Sequence, residues 1–316
     1  MGKLAGKKVF ITGSTGFVGS NLVRRSVKEG ADVHILTRKK SNEWRLNDVL
    51  DDTNTYKADL TDIKELNLII RDVEPSIIFH LATYGGDPSQ HDTQKIIESN
   101  LIGTVNLVKA CKEVGFDNFI NTSSSSEYGI KSKPMYENNL LEPVNDYGVS
   151  KAAATLFCQS IAKKYNLPIT TLRLFSPYGY FEGEKRLIPS VILTSLKGES
   201  PKVSSPHFVR DFVFIEDVLD SYLKIIESPQ VMGEIFNIGT GKQHTVGEVV
   251  NKIIELTGEK VQPEWGLTSK WSNEPKKWQA DISKANKYLK WTPKYSLERG
   301  LAKTVEWFSD YNGLYE

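Results

Sequence analysis

Strand-like and helix-like stretches alternate through the first half of this chain, and that alternation restricts its fold more than any other feature. Apolar runs at Lys8–Ile11, Val33–Leu36, Ile77–Leu81, Phe119–Asn121 and Ile169–Leu174 read as buried strands. Between them lie helical patterns at Asn21–Glu29, Ile63–Asp72, Ile96–Val114 and Lys151–Tyr165. Strands separated by helices favour an α/β fold, a doubly wound parallel sheet with right-handed crossovers. A ligand of such a sheet binds beyond the carboxyl ends of its strands. The polar clusters fall at those ends: Thr12-Gly13, Thr37-Arg38, Asp59 with Leu60, Leu81-Ala82-Thr83 and Ser123–Ser126.

The first of these ends runs into Gly13-Ser14-Thr15-Gly16-Phe17-Val18-Gly19 and then an apolar helical pattern. Gly13 can take the angles of a tight turn, Gly16 lets the backbone approach a pyrophosphate, and Gly19 lets helix and strand pack closely. The free N–H groups and positive end of the new helix face the phosphates. The spacing, GxxGxxG, is a variant of the GxGxxG dinucleotide fingerprint. The expected architecture is a Rossmann-type dinucleotide-binding domain over residues 1–172, joined by a later strand from about 211–243. Residues 173–316 make mainly a smaller substrate lobe, closed by an amphipathic helix at Leu297–Phe308.

At the end of the second strand a carboxylate would bind the ribose 2′-hydroxyl of NAD, and a basic group the 2′-phosphate of NADP. The chain reads Thr37-Arg38-Lys39-Lys40-Ser41, without a carboxylate there. Arg38 can bind a phosphate through two parallel N–H bonds, so NADP(H) is the preferred expectation and NAD(H) the alternative. Asp59, set at the end of the third strand, can accept the adenine amino group or serve a turn or helix cap.

Downstream, Thr122–Gly129 carries a run of serines, and Tyr147-Gly148-Val149-Ser150-Lys151 places a tyrosine and a lysine on one helix face. The lysine charge is expected to lower the tyrosine pKa and to hold the nicotinamide ribose. A serine at the strand end positions the substrate oxygen, so the trio can transfer a proton in step with hydride transfer at a carbinol or ketone carbon.

Together these motifs resemble the extended short-chain dehydrogenase/reductase family, the nucleotide-sugar epimerases, dehydratases and reductases. The likeness spans nearly the whole chain. It extends to His80-Leu81-Ala82, Asn100 with Gly103-Thr104, Arg173-Leu174-Phe175, Arg210-Asp211-Phe212-Val213, Phe236–Gly239 and Asp281–Ala285. The resemblance implies that Tyr147 is the acid/base and that Lys151 binds the ribose. It implies that Ser124 is the catalytic serine, with Ser125 as the other choice, and that Asn100 supports the lysine through water. Sugar 4,6-dehydratases of this family carry an acidic pair after the catalytic hydroxyl residue. Ser125 and Ser126 stand there, with Glu127 one place further on, so dehydration is disfavoured. Ser-Ser-Ser-Glu-Tyr-Gly and Arg186-Leu187-Ile188-Pro189 look similar to 4-ketoreductases of the CDP-abequose and CDP-paratose synthase kind. The leading expectation is thus an NADP(H)-dependent reductase of a nucleotide-linked 4-keto-6-deoxy sugar, with Tyr147 as proton donor. The alternative is an epimerase, or less readily a 4,6-dehydratase, holding NAD tightly.

For the sugar nucleotide, the candidates are Ser125, Glu127, Ser176, Arg186 and Arg210. Ser176 stands where the family often has asparagine. Arg210 has the guanidinium fork that matches diphosphate oxygens, or else forms a salt bridge with Asp211 or Asp217. Many members of the resembled family carry a second phosphate arginine before the Asp281 region, but Trp271–Trp278 holds none, so either Lys276 or Lys277 substitutes or the nucleotide sits differently, and Trp265, Trp271 and Trp278 either stack on a base or fill core.

Charge supports the same picture. Forty basic against 39 acidic residues leave +1 over 316 residues, which removes the signal for nucleic acid. Without an apolar signal region or a span-length apolar run, the chain is expected to be cytoplasmic and off the membrane. Cys111 and Cys158 lie in apolar helical patterns as buried thiols, and His207 and His244 make no metal spacing. His80 reads as a packed histidine. The helices Ile96–Val114 and Lys151–Tyr165 are apolar on more than one side, which suggests a homodimer through a four-helix interface. A dinucleotide-binding sensor or scaffold of the same fold remains as a non-enzyme reading.

Overall fold

A computed structural model describes residues 2–87, 89–266 and 276–315. In chain order the elements are β1 (Lys8–Thr12), α1 (Phe17–Lys28), β2 (Asp32–Thr37), β3 (Thr53–Lys57), α2 (Ile63–Val73), β4 (Ile77–His80), α3 (Thr93–Ile97), α4 (Gly103–Val114) and β5 (Asn118–Ser124). Then follow α5 (Asp146–Tyr165), β6 (Ile169–Leu174), β7 (Ser176–Tyr178), α6 (Leu187–Leu196), β8 (Lys202–Val203), β9 (Val209–Arg210), β10 (Phe212–Phe214) and α7 (Ile215–Ile226). The last are β11 (Ile235–Ile238), β12 (His244–Thr245), α8 (Val246–Thr257), β13 (Glu264–Trp265), α9 (Ser283–Leu289) and α10 (Leu297–Tyr311).

Seven strands form one sheet in the order β11-β6-β5-β4-β1-β2-β3, every neighbouring pair parallel. The order reverses between β1 and β4, which is the crevice that opens to ligands in doubly wound folds. The strands are apolar on both faces because helices cover both. Val9 and Ile11 of β1 enter one core with Ile77 and Phe79, while Phe10 enters the other with Ile78. Three further pairs of short strands lie outside this sheet: β7 with β10, β9 with β12 and β8 with β13.

Several boundaries moved for identifiable reasons. β3 closes at Lys57, before Asp59. α1 starts at Phe17, directly after the glycine loop, rather than at Asn21. α5 starts at Asp146, since Asn145 caps it by accepting from Gly148 N at 2.8 Å, and so takes in Tyr147. The expected helix Ile96–Val114 is α3 and α4 joined by a π-helical turn at Glu98–Ile102, which carries Asn100. Such turns insert one extra residue per turn and often re-aim a side chain at a functional site.

Candidate active site

The three glycines of the loop after β1 have three different surroundings. Gly13 has φ +73°, and a Cβ there would lie 2.5 Å from Leu81 C and from Ala82 N. A Cβ at Gly19 would lie 2.1 Å from Gly13 O, so α1 and the loop touch backbone to backbone. Gly16 is exposed, and its Cβ would meet only Gly13 O, at 3.2 Å. It is the N-cap of α1 without a side-chain cap, so the helix presents open N–H groups between Thr15, Phe17 and Val18. Those groups fit the phosphates of a dinucleotide. Around the loop, Leu81 N donates to Thr12 O at 3.0 Å and Ala82 N to Thr12 Oγ1 at 3.3 Å.

The two adenosine-side candidates lie in exposed turns. Asp59 is exposed in the loop after β3, where its Oδ1 accepts from Thr61 N at 3.0 Å and Thr61 Oγ1 at 2.8 Å. It therefore forms a turn, the lesser of the roles expected for it, while Leu60 is buried against Gly103. Arg38 is exposed, its N–H donating to Ser41 Oγ at 3.1 Å. A carboxylate from further along the chain, that of Glu43, lies near the end of β2. Glu43 pairs with Lys57, the register partner of Thr37, and the Lys57 hydrogen bond holds its carboxyl below the usual carboxylate range. Glu43 lies in a stretch with no periodicity, so no pattern in the sequence marked it.

Tyr147 and Ser124 meet at the carboxyl end of the sheet. Tyr147 lies along the loop that follows β4, with its ring edge 3.8 Å from where a Gly86 Cβ would stand. Burial raises the Tyr147 hydroxyl above its ordinary value, opposed first by hydrogen bonding to Ser124, then by the charge of Arg186 and by Thr83. Ser124 Oγ donates to Ser126 Oγ and accepts from Ser126 N, each at 3.1 Å. Ser125 is buried and accepts from Trp278 Nε1 at 3.2 Å. Ser124 is therefore the serine beside the tyrosine. Lys151 is 3% exposed and donates to Thr122 O at 2.6 Å. Desolvation pulls its pKa down to about 8, against the charges of Glu127 and Cys158. The expected lowering of Tyr147 by Lys151 is corrected here, because the ammonium is turned onto the strand carbonyl and burial dominates the phenol.

Glu127, expected to contact substrate, is instead sealed inside. It is 0% exposed, accepts from Thr155 Oγ1 at 2.6 Å, Arg173 Nε at 2.7 Å and Ser123 Oγ, and points away from the crevice. The chain leaves β5 in a single tight turn at Ser125–Glu127, which carries Glu127 inward onto Arg173 of β6, and the apolar β6 run hid that cation. Asn100 is also engaged more fully than the resemblance implied. Its Oδ1 accepts from Tyr84 N and Thr83 Oγ1, and its Nδ2 donates to Tyr84 O and Ser150 Oγ, so its four bonding positions are filled by protein rather than by water. It braces the loop that lines Tyr147 against α5.

His80 is buried in a one-way chain of hydrogen bonds. Thr104 Oγ1 donates to Asn100 O at 2.6 Å, so it must accept from His80 Nε2 at 2.8 Å, and His80 Nδ1 then accepts from Thr12 Oγ1 at 2.7 Å. That assigns a neutral ring. Burial, then the charge of Lys151, hold its pKa down to about 3 against 6.5. The sign follows: the unfolded chain takes up a proton that the folded chain refuses, so His80 lowers stability as pH falls below 6.5 toward 3. The loss reaches about 2 kcal/mol by pH 5. His80→Gln should flatten the decline in Tm between pH 7 and pH 5, and an unchanged slope would contradict the assignment.

The other substrate candidates lie at the rim. Arg186, at the N-cap of α6, reaches Gly86 O at 3.3 Å and lies 3.9 Å from Glu182. Arg210 donates to Val209 O at 2.7 Å and lies 5.5 Å from the Trp278 ring, which in turn reaches the serine run. Asp211, its expected salt-bridge alternative, is buried and accepts from Thr240, Gly241 and Ala280, while Asp217 accepts from Lys294 and Tyr295 N–H groups. Ser176 N donates to Asp211 O at 3.0 Å in the β7–β10 pair. Trp271 and neighbours through Pro275 lie outside the described residues, and Lys276 is exposed. Among the described residues no cluster of His, Cys, Asp or Glu could hold a metal ion, and no helix is long and apolar enough to cross a membrane.

A seven-stranded parallel sheet with a glycine loop after β1, and Ser124, Tyr147 and Lys151 near the carboxyl ends of its strands, define a Rossmann-like α/β protein. The model of the NAD dependent epimerase/dehydratase family matches residues 9–239, and the chain belongs to that family of enzymes. It is 30% identical to the UDP-glucuronate 4-epimerase of Thermodesulfobacterium geofontis, over 94% of each chain. The UDP-glucose 4-epimerase of Thermotoga maritima, solved with UDP-glucose, superposes with TM-score 0.88 at 29% identity, covering 96% of this chain and 99% of that one. The UDP-glucuronic acid 4-epimerase of Bacillus cereus, solved with UDP-glucuronic acid and NAD, gives TM-score 0.85 at 26% identity over 96% and 99%. The likeness to CDP-abequose and CDP-paratose synthases, and the preference for NADP(H), find no support among these relatives.

Proposed function

We propose that this enzyme is an NAD-dependent nucleotide-sugar 4-epimerase, rather than the 4-keto reductase that headed the expectations from sequence. The observation that favours it over a reductase is the likeness to 4-epimerases over nearly the whole chain, and the burial of Glu127 in its pair with Arg173 weighs against a dehydratase. With that carboxylate withdrawn, and Ser125 and Ser126 in the acid positions, the proton-transfer groups beside Tyr147 are hydroxyls and one ammonium. Such a set suits reversible oxidation and reduction of a carbinol, whereas dehydration needs a carboxylate to remove a carbon-bound proton. The similarity to 4-epimerases supports the same choice.

Gly13, Gly16 and Gly19 would cradle the diphosphate of NAD at the α1 N-terminus, Lys151 would hold its nicotinamide ribose, and Glu43, paired with Lys57 at the β2–β3 edge, would approach the adenosine ribose. Bound NAD would supply hydride acceptance and return at C4 of the sugar. Ser124 would hold the C4 oxygen, and Tyr147 would take its proton and later give it back. Arg210 and Arg186 would grip the diphosphate and the sugar rim. Ile102 of the π turn and Val149 and Leu156 of α5 are exposed at 43%, 45% and 55%, which supports pairing of two copies through these helices. A solution mass of one chain would remove the dimer.

The test is to denature freshly purified enzyme, identify the released dinucleotide by mass spectrometry, and then offer UDP-glucose and UDP-glucuronate. Retained NAD with interconversion at C4 is the expected result. An empty enzyme that oxidises NADPH against a nucleotide-linked 4-keto sugar would return the reductase reading.

A further inference from the structure

The carboxylate that the crevice lacks is not far from the reacting groups. Glu127 lies in the turn directly after β5 and joins three elements that bear on the site. Ser123, one residue before Ser124, donates to it from β5. Thr155, one helical turn beyond Lys151, donates to it from α5 at 2.6 Å. Arg173, the register partner of Ser123 on β6, donates to it at 2.7 Å. An ion pair this deep is not explained by stability alone, because apolar residues of similar volume often serve as well.

We infer that Glu127 is a positioning residue whose buried charge, held where β5, α5 and β6 meet, keeps Lys151 in its ammonium form on the Thr122 carbonyl. The inference rests on the reading of Lys151 as the ribose-binding lysine. The charged and titratable groups around the lysine are few. Its own helix contributes Tyr147 and Cys158, β4 contributes His80, and the turn after β5 contributes Glu127 with Arg173 behind it. His80 is neutral, and the Cys158 thiol is pushed up to about 12 by burial. Glu127 is therefore the anion that opposes desolvation of Lys151, as the balance of causes on the lysine also has it. A charge on a residue fully inside the fold acts through low-dielectric surroundings and is screened little by salt.

The experiment is a titration of Lys151 in the full-length enzyme carrying lysine labelled with 13C at Cε, its resonance assigned by loss in Lys151→Arg. The wild-type midpoint should lie near pH 8. Glu127→Gln strands the Arg173 cation and can fail to fold, so the paired change Glu127→Gln with Arg173→Gln is made beside it. In the paired variant the midpoint should fall by about one pH unit or more, and Glu127→Asp, which keeps the charge, should return it toward the wild-type value. The alkaline limb of kcat/KM should move with it. A folded paired variant with lower Tm but an unmoved midpoint would overturn the inference and leave Glu127 a purely structural residue. Failure of the epimerase reading shows separately, as absence of NAD and of C4 interconversion in the wild type, and does not alter the NMR titration.

Discussion

Tyr147→Phe should reduce turnover by about 10²- to 10⁴-fold, the range general acid–base groups contribute, while leaving NAD binding and Tm near wild type. Only the hydroxyl is removed. The ring keeps its place along the loop at Gly85 and Gly86, and the Asn100 bonds that brace that loop do not involve the phenol oxygen. Because burial raises the Tyr147 pKa, the proton-accepting form is scarce at neutral pH in the free protein, and wild-type activity should rise toward alkaline pH until Lys151 discharges. Ser124→Ala should act in the same direction, while Ser125→Ala, whose oxygen is occupied by Trp278, should retain most activity. Steady-state kinetics with NAD-binding titrations would check this. Substantial turnover by Tyr147→Phe would remove the tyrosine from the mechanism altogether.

The second large effect separates two glycines of one motif. Gly19→Ala places a Cβ 2.1 Å from Gly13 O, a backbone atom that can yield only if α1 moves off the loop. Overpacking of this kind costs about 1–3 kcal/mol, so the variant should lose several degrees of Tm and its dinucleotide affinity together. Gly16→Ala meets only Gly13 O at 3.2 Å, in a position exposed to the crevice. It should keep its Tm and lose affinity, because the added methyl enters the space the phosphates need. Thermal unfolding and calorimetric titration with NAD distinguish the two, and equal losses of Tm would contradict the division of roles.

Much of the fold could be read from local patterns. Continuous apolar runs located β1, β2, β4, β5 and β6, the 3.6-residue period located their helices, and turn-compatible glycines located the loop after β1. These are properties of a residue and its near neighbours, so they survive without tertiary context. The tyrosine–lysine pair was visible for the same reason, since a helix itself puts positions four apart on one face.

The direction in which polar side chains point was decided only by packing. Glu127 and Arg173 lie 46 residues apart in sequence and meet because β5 and β6 are register partners, which withdraws the expected substrate contact into the core. Glu43 reaches the end of β2 only because β3 pairs beside it and brings Lys57 to the same edge. Asp59 fell outside its strand by two residues and became a turn. The sequence by itself determined the parallel α/β class, the glycine loop after β1, and the serine, tyrosine and lysine candidates. Only the tertiary structure decided which carboxylate is buried, which serine stands beside the tyrosine, and which charge the lysine feels. Those outcomes depend on distances across strands and on removal from water, and neither is encoded in the spacing of residues along the chain.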